Sequence, residues 1–464
     1  MKVFDGQEWT KMGMSDGDQT RGPQVNRRSF LKVGSAAATV SVLGGLEGIL
    51  ASRRAPAYAQ TTKLHILHWV DFVPEGDVEL KRQIAEYSNQ MKVEITFETI
   101  NANDLQTRIT GAIWAGTGAD IILMMHNWPH LYQTALADVS DLCEWKRKDQ
   151  GNYYSQSEAA ARDGGGWLAL PYGIVGALIA YRKSWFGQVG AAQPPKTLDE
   201  YRKIGAALKK KGYPIGQTLG HTFGDAPIWS YPLLWAFGGV ETDQTGRRVV
   251  LDLKGTIDSV KWMAAFWKEA CDEGALAWDD TNNNRAFHAG EISATLNGPS
   301  IYIMAKRRAE GIRDEKGQPM WSDISHFPIP DGPAGPTPGY HLILSHALMK
   351  YSKNQKAAKD LLKWLHSKEQ FGKWFEIEAG YSLGATSFWE KHPMWEKADE
   401  ALKPFRTAGR ASRMIGYAGP ASAKATEVYS KYILTDMYAK AVQGMPPAEA
   451  VRWAEGELKK IYEG

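Results

Sequence analysis

The chain has 464 residues, 23% of them charged, with 55 Lys and Arg against 52 Asp and Glu. Eight of the basic and five of the acidic side chains fall within the first 59 residues, which leaves 47 of each sign beyond them. A balanced remainder of that length has no electrostatic footprint for nucleic acid or anionic lipid, and it suffices for two or three domains.

The first recognisable element is a targeting signature. Asn26-Arg27-Arg28-Ser29-Phe30-Leu31-Lys32 precedes a weakly apolar run, and Ala57-Tyr58-Ala59 follows it. Paired arginines before Phe-Leu-Lys resemble a twin-arginine export signal, with Asn26 where Ser or Thr is more usual. Ala57 and Ala59 have the small-x-small form of a cleavage site, so residues 1–59 are expected to be removed. The run 33–51 is rich in Ala, Gly and Ser and carries Glu47, too weak for a stable span. The competing reading is a basic terminus without fixed structure. Export implies the periplasm, and no later apolar stretch reaches membrane-spanning length.

Residues 64–69 read as a first strand and 77–90 as the helix after it. Val93, Ile95 and Phe97 alternate through 92–99 as a second strand. The wholly apolar run 121–125 follows a Gly-rich turn and reads as a buried parallel strand. Thr197 and Glu200 form a capping box, after which Leu198, Tyr201, Ile204 and Leu208 repeat on one helical face until Gly212. Ile257, Val260, Met263 and Trp267 mark another helix, Ala357, Leu361, Trp364 and Leu365 a third, and 425–444 a long one. The Pro/Gly-dense stretch 328–338 is a candidate crossing between domains. Alternating strands and helices argue for α/β layers.

Cys143 and Cys271 are the only cysteines. Two thiols exclude iron–sulfur and most structural zinc sites. Each lies in a helix-like apolar pattern and reads as a buried thiol, the alternative being a disulfide between them. His65 and His68 face opposite sides of a strand, and Pro129 puts His126 and His130 in a loop, so no metal site is expected. No dinucleotide fingerprint and no His-Glu-x-x-His occurs, and no cofactor is expected. The 18 Trp are the unusual count. A Trp face suits the C–H face of a sugar ring, while ordinary core filling is the competing use of each.

Four blocks then point to a family: Ala115-Gly116-Thr117-Gly118-Ala119-Asp120 with Leu136-Ala137-Asp138-Val139-Ser140; Trp167-Leu168-Ala169-Leu170-Pro171-Tyr172 with Tyr181-Arg182-Lys183; Phe237-Gly238-Gly239 with Phe287-His288-Ala289-Gly290-Glu291 and Asn297-Gly298-Pro299; and Phe327-Pro328-Ile329-Pro330 with Gly339 and the helix after Ser352-Lys353-Asn354. In this order behind an export signal, they resemble the extracellular solute-binding proteins of bacterial carbohydrate ABC importers. The resemblance implies an α/β periplasmic binding protein fold of two lobes. Each lobe would be a mostly parallel sheet flanked by helices, with the ligand cleft between them. It assigns 60–174 and 328–404 to the first lobe and 175–327 and 405–464 to the second. Crossings are expected near 171–176, 327–330 and 403–412. The implied partners are a small carbohydrate or polyol and the transmembrane subunits of an ABC permease, bound by a monomer.

Open α/β sheets bind ligands at the carboxyl ends of their strands. Trp69 and Asp71 follow the first strand and would stack on a sugar and accept from its hydroxyls; a core Trp and a helix-entry Asp are the alternative. His126, Asn127 and Trp128 follow the third strand, where relatives supply polar contacts, with Asn127 in place of an acid. Tyr172 sits by the expected crossing. Asp225, Trp229 and Tyr231 lie on a segment read as extended, with one of the two rings expected in the core. Tyr340 and His341 follow Gly339, Tyr381 follows Gly380, and Tyr417 precedes the last long helix. Val175 and Ser300 replace a carboxylate and a stacking Trp of maltodextrin binders, which argues against a malto-oligosaccharide. Arg182, Arg410 and Arg413 are the cations to consider for a phosphorylated ligand. The competing classes are a carbohydrate-active or cofactor-bearing enzyme exported folded, and a sensor reading the same ligand.

Overall fold

The structure, a computed structural model, describes residues 62–410 and 412–464, and the export segment expected from Arg27, Arg28, Ala57 and Ala59 lies outside them. Among the described residues no helix is long and apolar enough to cross a membrane. β1 (Lys63–Trp69), β2 (Glu94–Ile100) and β3 (Ile121–Met125) run parallel with β1 in the middle. The helices Pro74–Met91 and Leu105–Ala115 supply the two crossovers. Every residue of β3 is buried, as its unbroken apolar run demands. A short hairpin, β4 (Arg162–Asp163) with β5 (Gly166–Trp167), precedes β6 (Leu170–Val175).

Two sheets result. β7 (Leu178–Arg182), β8 (Ala294–Asn297) and β9 (Ile324–Phe327) make the smaller one, with β7 central. β10 (Leu342–Leu348) and β11 (Ser382–Gly384) return to the larger one, whose order is β11-β6-β10-β3-β1-β2. The two-lobed α/β architecture is as expected, but the strand directions are not. β10 is antiparallel to both β3 and β6, β11 is antiparallel to β6, and every pairing of the smaller sheet is antiparallel. A strand that re-enters its sheet from the other lobe arrives without the helical crossover that imposes parallel pairing.

The chain passes between sheets at 176–177 and at 328–341, and the turn Lys403–Arg410, which leads from the larger sheet to the last helices, lies beside these passages. The Ala177 amide donates to His341 Nδ1 at 3.1 Å, and the Arg413 amide donates to the Gly339 carbonyl at 3.0 Å. Gly176 permits this approach, because a Cβ there would stand 3.0 Å from the Phe405 ring and 3.3 Å from Ala408. His341 is thus spent on the crossing.

Two expected elements are corrected. The segment carrying Trp229 and Tyr231 is a helix, Asp225–Ala236, with every residue buried. Its sequence is apolar all round and holds Pro227 and Pro232, so it shows no amphipathic period. The single helix expected over 425–444 is two, Ala423–Ser430 and Ile433–Val442, separated by Tyr432 at φ 56°. The break lets the first piece face the larger sheet, where Thr426 Oγ1 donates to the Asn127 carbonyl at 2.9 Å. The second packs on the helix Lys254–Ala270, with Ser259 Oγ and Tyr438 OH 2.9 Å apart. By contrast, the capping box at Thr197 forms as expected, opening the helix Leu198–Lys210. Cys143 and Cys271 are free and buried, in line with the thiol reading. The Arg182 side chain is fully buried and paired with Asp323 at 2.7 Å and Glu315 at 2.8 Å, so it is structural.

Glu241 ties the C-terminal helix Pro447–Tyr462 to the second lobe. It accepts from Tyr462 OH at 3.0 Å and from the Gly416 amide at 3.2 Å. Burial pushes its carboxyl up to about 7. A folded-state value raised above the unfolded one stabilises most below the unfolded value, and that contribution is lost as pH rises through the folded value. Relative to Glu241→Gln, which can still accept from the Gly416 amide and donate to the Tyr462 hydroxyl, the native protein should therefore lose stability between the usual carboxylate range and neutrality. The slope should approach about 1.4 kcal/mol per pH unit. Urea midpoints of the two proteins across that range check it, and parallel curves would refute it.

Candidate ligand-binding cleft

The carboxyl ends of β1 and β2 face loops of the second lobe across two adjoining cavities of about 30 and 250 Å³. The first-lobe side is built from the residues that leave β1. Trp69 is fully buried, and its Nε1–H donates to Asp71 Oδ2 at 3.2 Å. The Val73 amide donates to Asp71 Oδ1 at 2.8 Å, which fixes the carboxylate at the entrance to the helix Pro74–Met91. Burial, with Asp77 adding repulsion, pushes Asp71 up to about 7.

The second-lobe side is acidic as well. Asp280 accepts from the Asp225 amide at 2.6 Å, from the Gly224 amide at 3.2 Å and from Thr222 Oγ1. Asp225 Oδ2 accepts from Asn283 Nδ2 at 2.6 Å and Asn297 Nδ2 at 3.5 Å. Burial pushes Asp280 up to about 6; burial and the neighbouring Asp280 push Asp225 up as well. Aromatic rings join the two sides. The Phe223 ring comes from the second lobe to within 5.8 Å of Trp69 and 6.4 Å of Phe72, centroid to centroid. Tyr381 lies 6.4 Å from Trp69 and 6.2 Å from Phe72. Gly298 is required opposite it, since a Cβ there would approach the Tyr381 ring to 3.1 Å.

His126 forms a second junction. Its Nε2 lies 2.8 Å from the Phe223 carbonyl and 2.7 Å from Tyr429 OH, and its Nδ1 meets Tyr340 OH. Burial lowers it to about 3, so the ring is neutral: Tyr340 donates to Nδ1, and the Nε2–H donates to the Phe223 carbonyl. The Asn103 carboxamide oxygen takes the Phe223 amide at 3.1 Å, so both backbone groups of Phe223 are held by the first lobe. Tyr231 and Tyr340 pack here, 5.9 Å apart. Asn127 and Trp128 are buried beside them, and Asn127 Oδ1 and Trp128 Nε1 have no hydrogen-bond partner among the described residues.

Trp69, Asp71, Asp225 and Tyr381 are therefore gathered at the cleft, and His126, Asn127, Trp128, Tyr231 and Tyr340 at the junction next to it. Four residues lie elsewhere, His341 on the crossing at Ala177 among them. Tyr172 packs 4.4 Å from His346 and 4.7 Å from Trp374, inside the first lobe. Trp229 packs 5.8 Å from Phe266 in the second-lobe core, with its N–H toward Met263 Sδ. Tyr417 carries the Arg413 guanidinium over its ring at 4.1 Å. Sequence reasoning missed Phe72, Phe223, Asp280 and Asn297. Phe72 could have been found one residue past Asp71, and Asn297 sits in the quoted Asn-Gly-Pro block; nothing local marks Phe223 or Asp280.

Larger cavities exist, including one of about 390 Å³ beside Arg307 and Lys306. Its two cations on the helix Ser300–Arg307 are already paired, Arg307 with Glu75 at 2.7 Å and Lys306 with Asp399. The smaller cleft combines unpaired carboxylates with ring faces from both lobes. A profile of bacterial extracellular solute-binding proteins matches residues 82–404. The chain belongs to that family. This solute-binding protein is 26% identical over 384 residues to the diacetylchitobiose binding protein DasA of Streptomyces coelicolor, covering 81% of this chain and 84% of that one. Its fold is similar to that of maltose-bound MalE3 of T. maritima, with a TM-score of 0.72 and 19% identity over 86% of this chain and 100% of the other. A solute-binding protein of Agrobacterium radiobacter in complex with ribitol gives a TM-score of 0.70 and 20% identity, covering 86% and 98%.

Proposed function

We propose that this protein is the periplasmic substrate-binding component of an ABC-type carbohydrate importer, which takes a small sugar or polyol into the interlobe cleft and hands it unchanged to membrane permease subunits. The carrying observation is the convergence on two adjoining cavities of Asp71 and Tyr381 from the first lobe with Phe223, Asp225 and Asn297 from the second. Rings stack on C–H faces, and carboxylates accept from hydroxyls. The sugar and polyol ligands named for its relatives support the same class. Twin-arginine export through Arg27 and Arg28, with removal of residues 1–59, brings the monomer to the periplasm. The first lobe comprises 60–174 and 328–404, and the second 175–327 and 405–464.

The mechanism is a shift between open and closed forms. Opening breaks the bonds of Asn103 and His126 to Phe223 and of Gln106 to Ser430 (2.8 Å), all of which cross the cleft. A solute that touches both lobes restores the closed form through contacts available only there. Moving a 1:99 equilibrium to 99:1 requires about 5.5 kcal/mol, within reach of one stacked ring and several desolvated hydroxyl bonds. A panel of mono-, di- and trisaccharides, polyols and sugar phosphates, read by melting temperature, titration calorimetry and solution scattering, tests this. Stoichiometric binding of a neutral sugar or polyol with a smaller radius of gyration is expected. Consumption of any panel member, or no response to all of them, would overturn it.

A further inference from the structure

We infer that the solute carries a protonated amine as well as hydroxyls, an amino sugar or amino polyol in preference to its neutral counterpart. The inference rests on the carbohydrate reading and narrows it. Asp71, Asp225, Asp279 and Asp280 line the two cavities, and among the described residues no Lys or Arg does. Behind them, Glu378 is fully buried and neither of its carboxylate oxygens has a hydrogen-bond partner among the described residues. Arg307, which donates to the carbonyl of Ile377 next to Glu378, is paired with Glu75.

Tyr381 points the same way. It is 3% exposed and lines the smaller cavity, yet its hydroxyl makes no hydrogen bond to a described residue. Asp225 and Asp280 line the same cavity, and Asp71 lines the adjoining one. The hydroxyl is thus a polar handle without a protein partner, set among carboxylates of both lobes.

A neutral sugar entering this cleft removes water from the carboxylates without compensating their charge, so they must take up protons instead. An ammonium group compensates them directly. The rings of Phe72, Phe223 and Tyr381, which line the cavities, attract the same cation through their quadrupoles. One chemistry therefore accounts for both the excess of acid and the ring faces. Anionic solutes, sugar phosphates among them, are repelled.

The test compares matched pairs on the purified chain by titration calorimetry at neutral pH: glucosamine with glucose, galactosamine with galactose, and glucamine with glucitol. In at least one pair the amine should bind about tenfold tighter or better. Asp225→Asn, which keeps the shape, should bring that pair close to parity. Neutral members binding as tightly as their amines would overturn this inference and leave the carbohydrate reading standing. No binding by any pair, together with no response to the wider panel, would overturn both. The native comparison decides without the variant, so a folding defect in Asp225→Asn does not blunt it.

Discussion

Replacing Trp69 with Ala is expected to weaken solute binding about thirtyfold to a thousandfold, ~2–4 kcal/mol, as for a buried aromatic anchor at the centre of a contact. The ring is the point where Phe72 and Tyr381 of its own lobe meet Phe223 of the other. Its loss removes a stacking face and a closure contact together. It also strips Asp71 Oδ2 of its indole donor and loosens that carboxylate. Trp69→Phe keeps a ring and loses only the donor, so it should fall between the two. Calorimetric titration of each variant, with circular dichroism to confirm folding, measures the order. Unchanged affinity in a folded Trp69→Ala protein would mean that the cleft lies elsewhere.

Trp229→Ala should do the reverse. The indole is fully buried between Phe266 at 5.8 Å and Trp262 at 6.4 Å, within the second-lobe core. Truncation leaves a cavity that its neighbours close only in part, at a cost of about 3–5 kcal/mol. The urea midpoint should drop with an unchanged slope, while the folded fraction binds solute as the native protein does. A loss of affinity matching that of Trp69→Ala would put Trp229 in the site and contradict the packing described above. Together the two variants separate a ring proposed to serve the cleft from one that supports the lobe.

The two tryptophans also show how far a linear reading reaches. Trp69 was legible because a parallel strand ends there, and strand ends in open α/β sheets face the cleft whatever the loop does next. Trp229 was misplaced because its segment is apolar all round, which hides the helical period and makes an extended reading as good as any. The same limit applies to the last helices: the left-handed turn at Tyr432 has no local cause and serves contacts with Asn127 and His126, distant in sequence. Tyr172 stood beside the crossing in sequence, but its side of β6 points into the first-lobe core.

Phe223 and Asp280 were invisible for a further reason. Neither lies in a motif: Phe223 acquires its place when the lobes meet, and Asp280 when distant loops of the second lobe pack together. Phe223 lends its backbone to Asn103 and His126 and its ring to Trp69, all first-lobe partners. Asp280 anchors the 222–225 turn from a loop more than fifty residues away, with separations of 55 to 58 residues along the chain. Such pairings carry no local periodicity.

The order of amino acids alone determined the α/β class, the buried strand 121–125, the capping box at Thr197 and the family, because each depends on neighbours a few residues apart or on the order of short blocks. The tertiary structure decided which rings line the cleft, which strands run antiparallel and where acid gathers without a counter-charge. Those features arise from surfaces that come together only after the chain has crossed between lobes, where packing and desolvation, rather than local preference, set the position of each side chain.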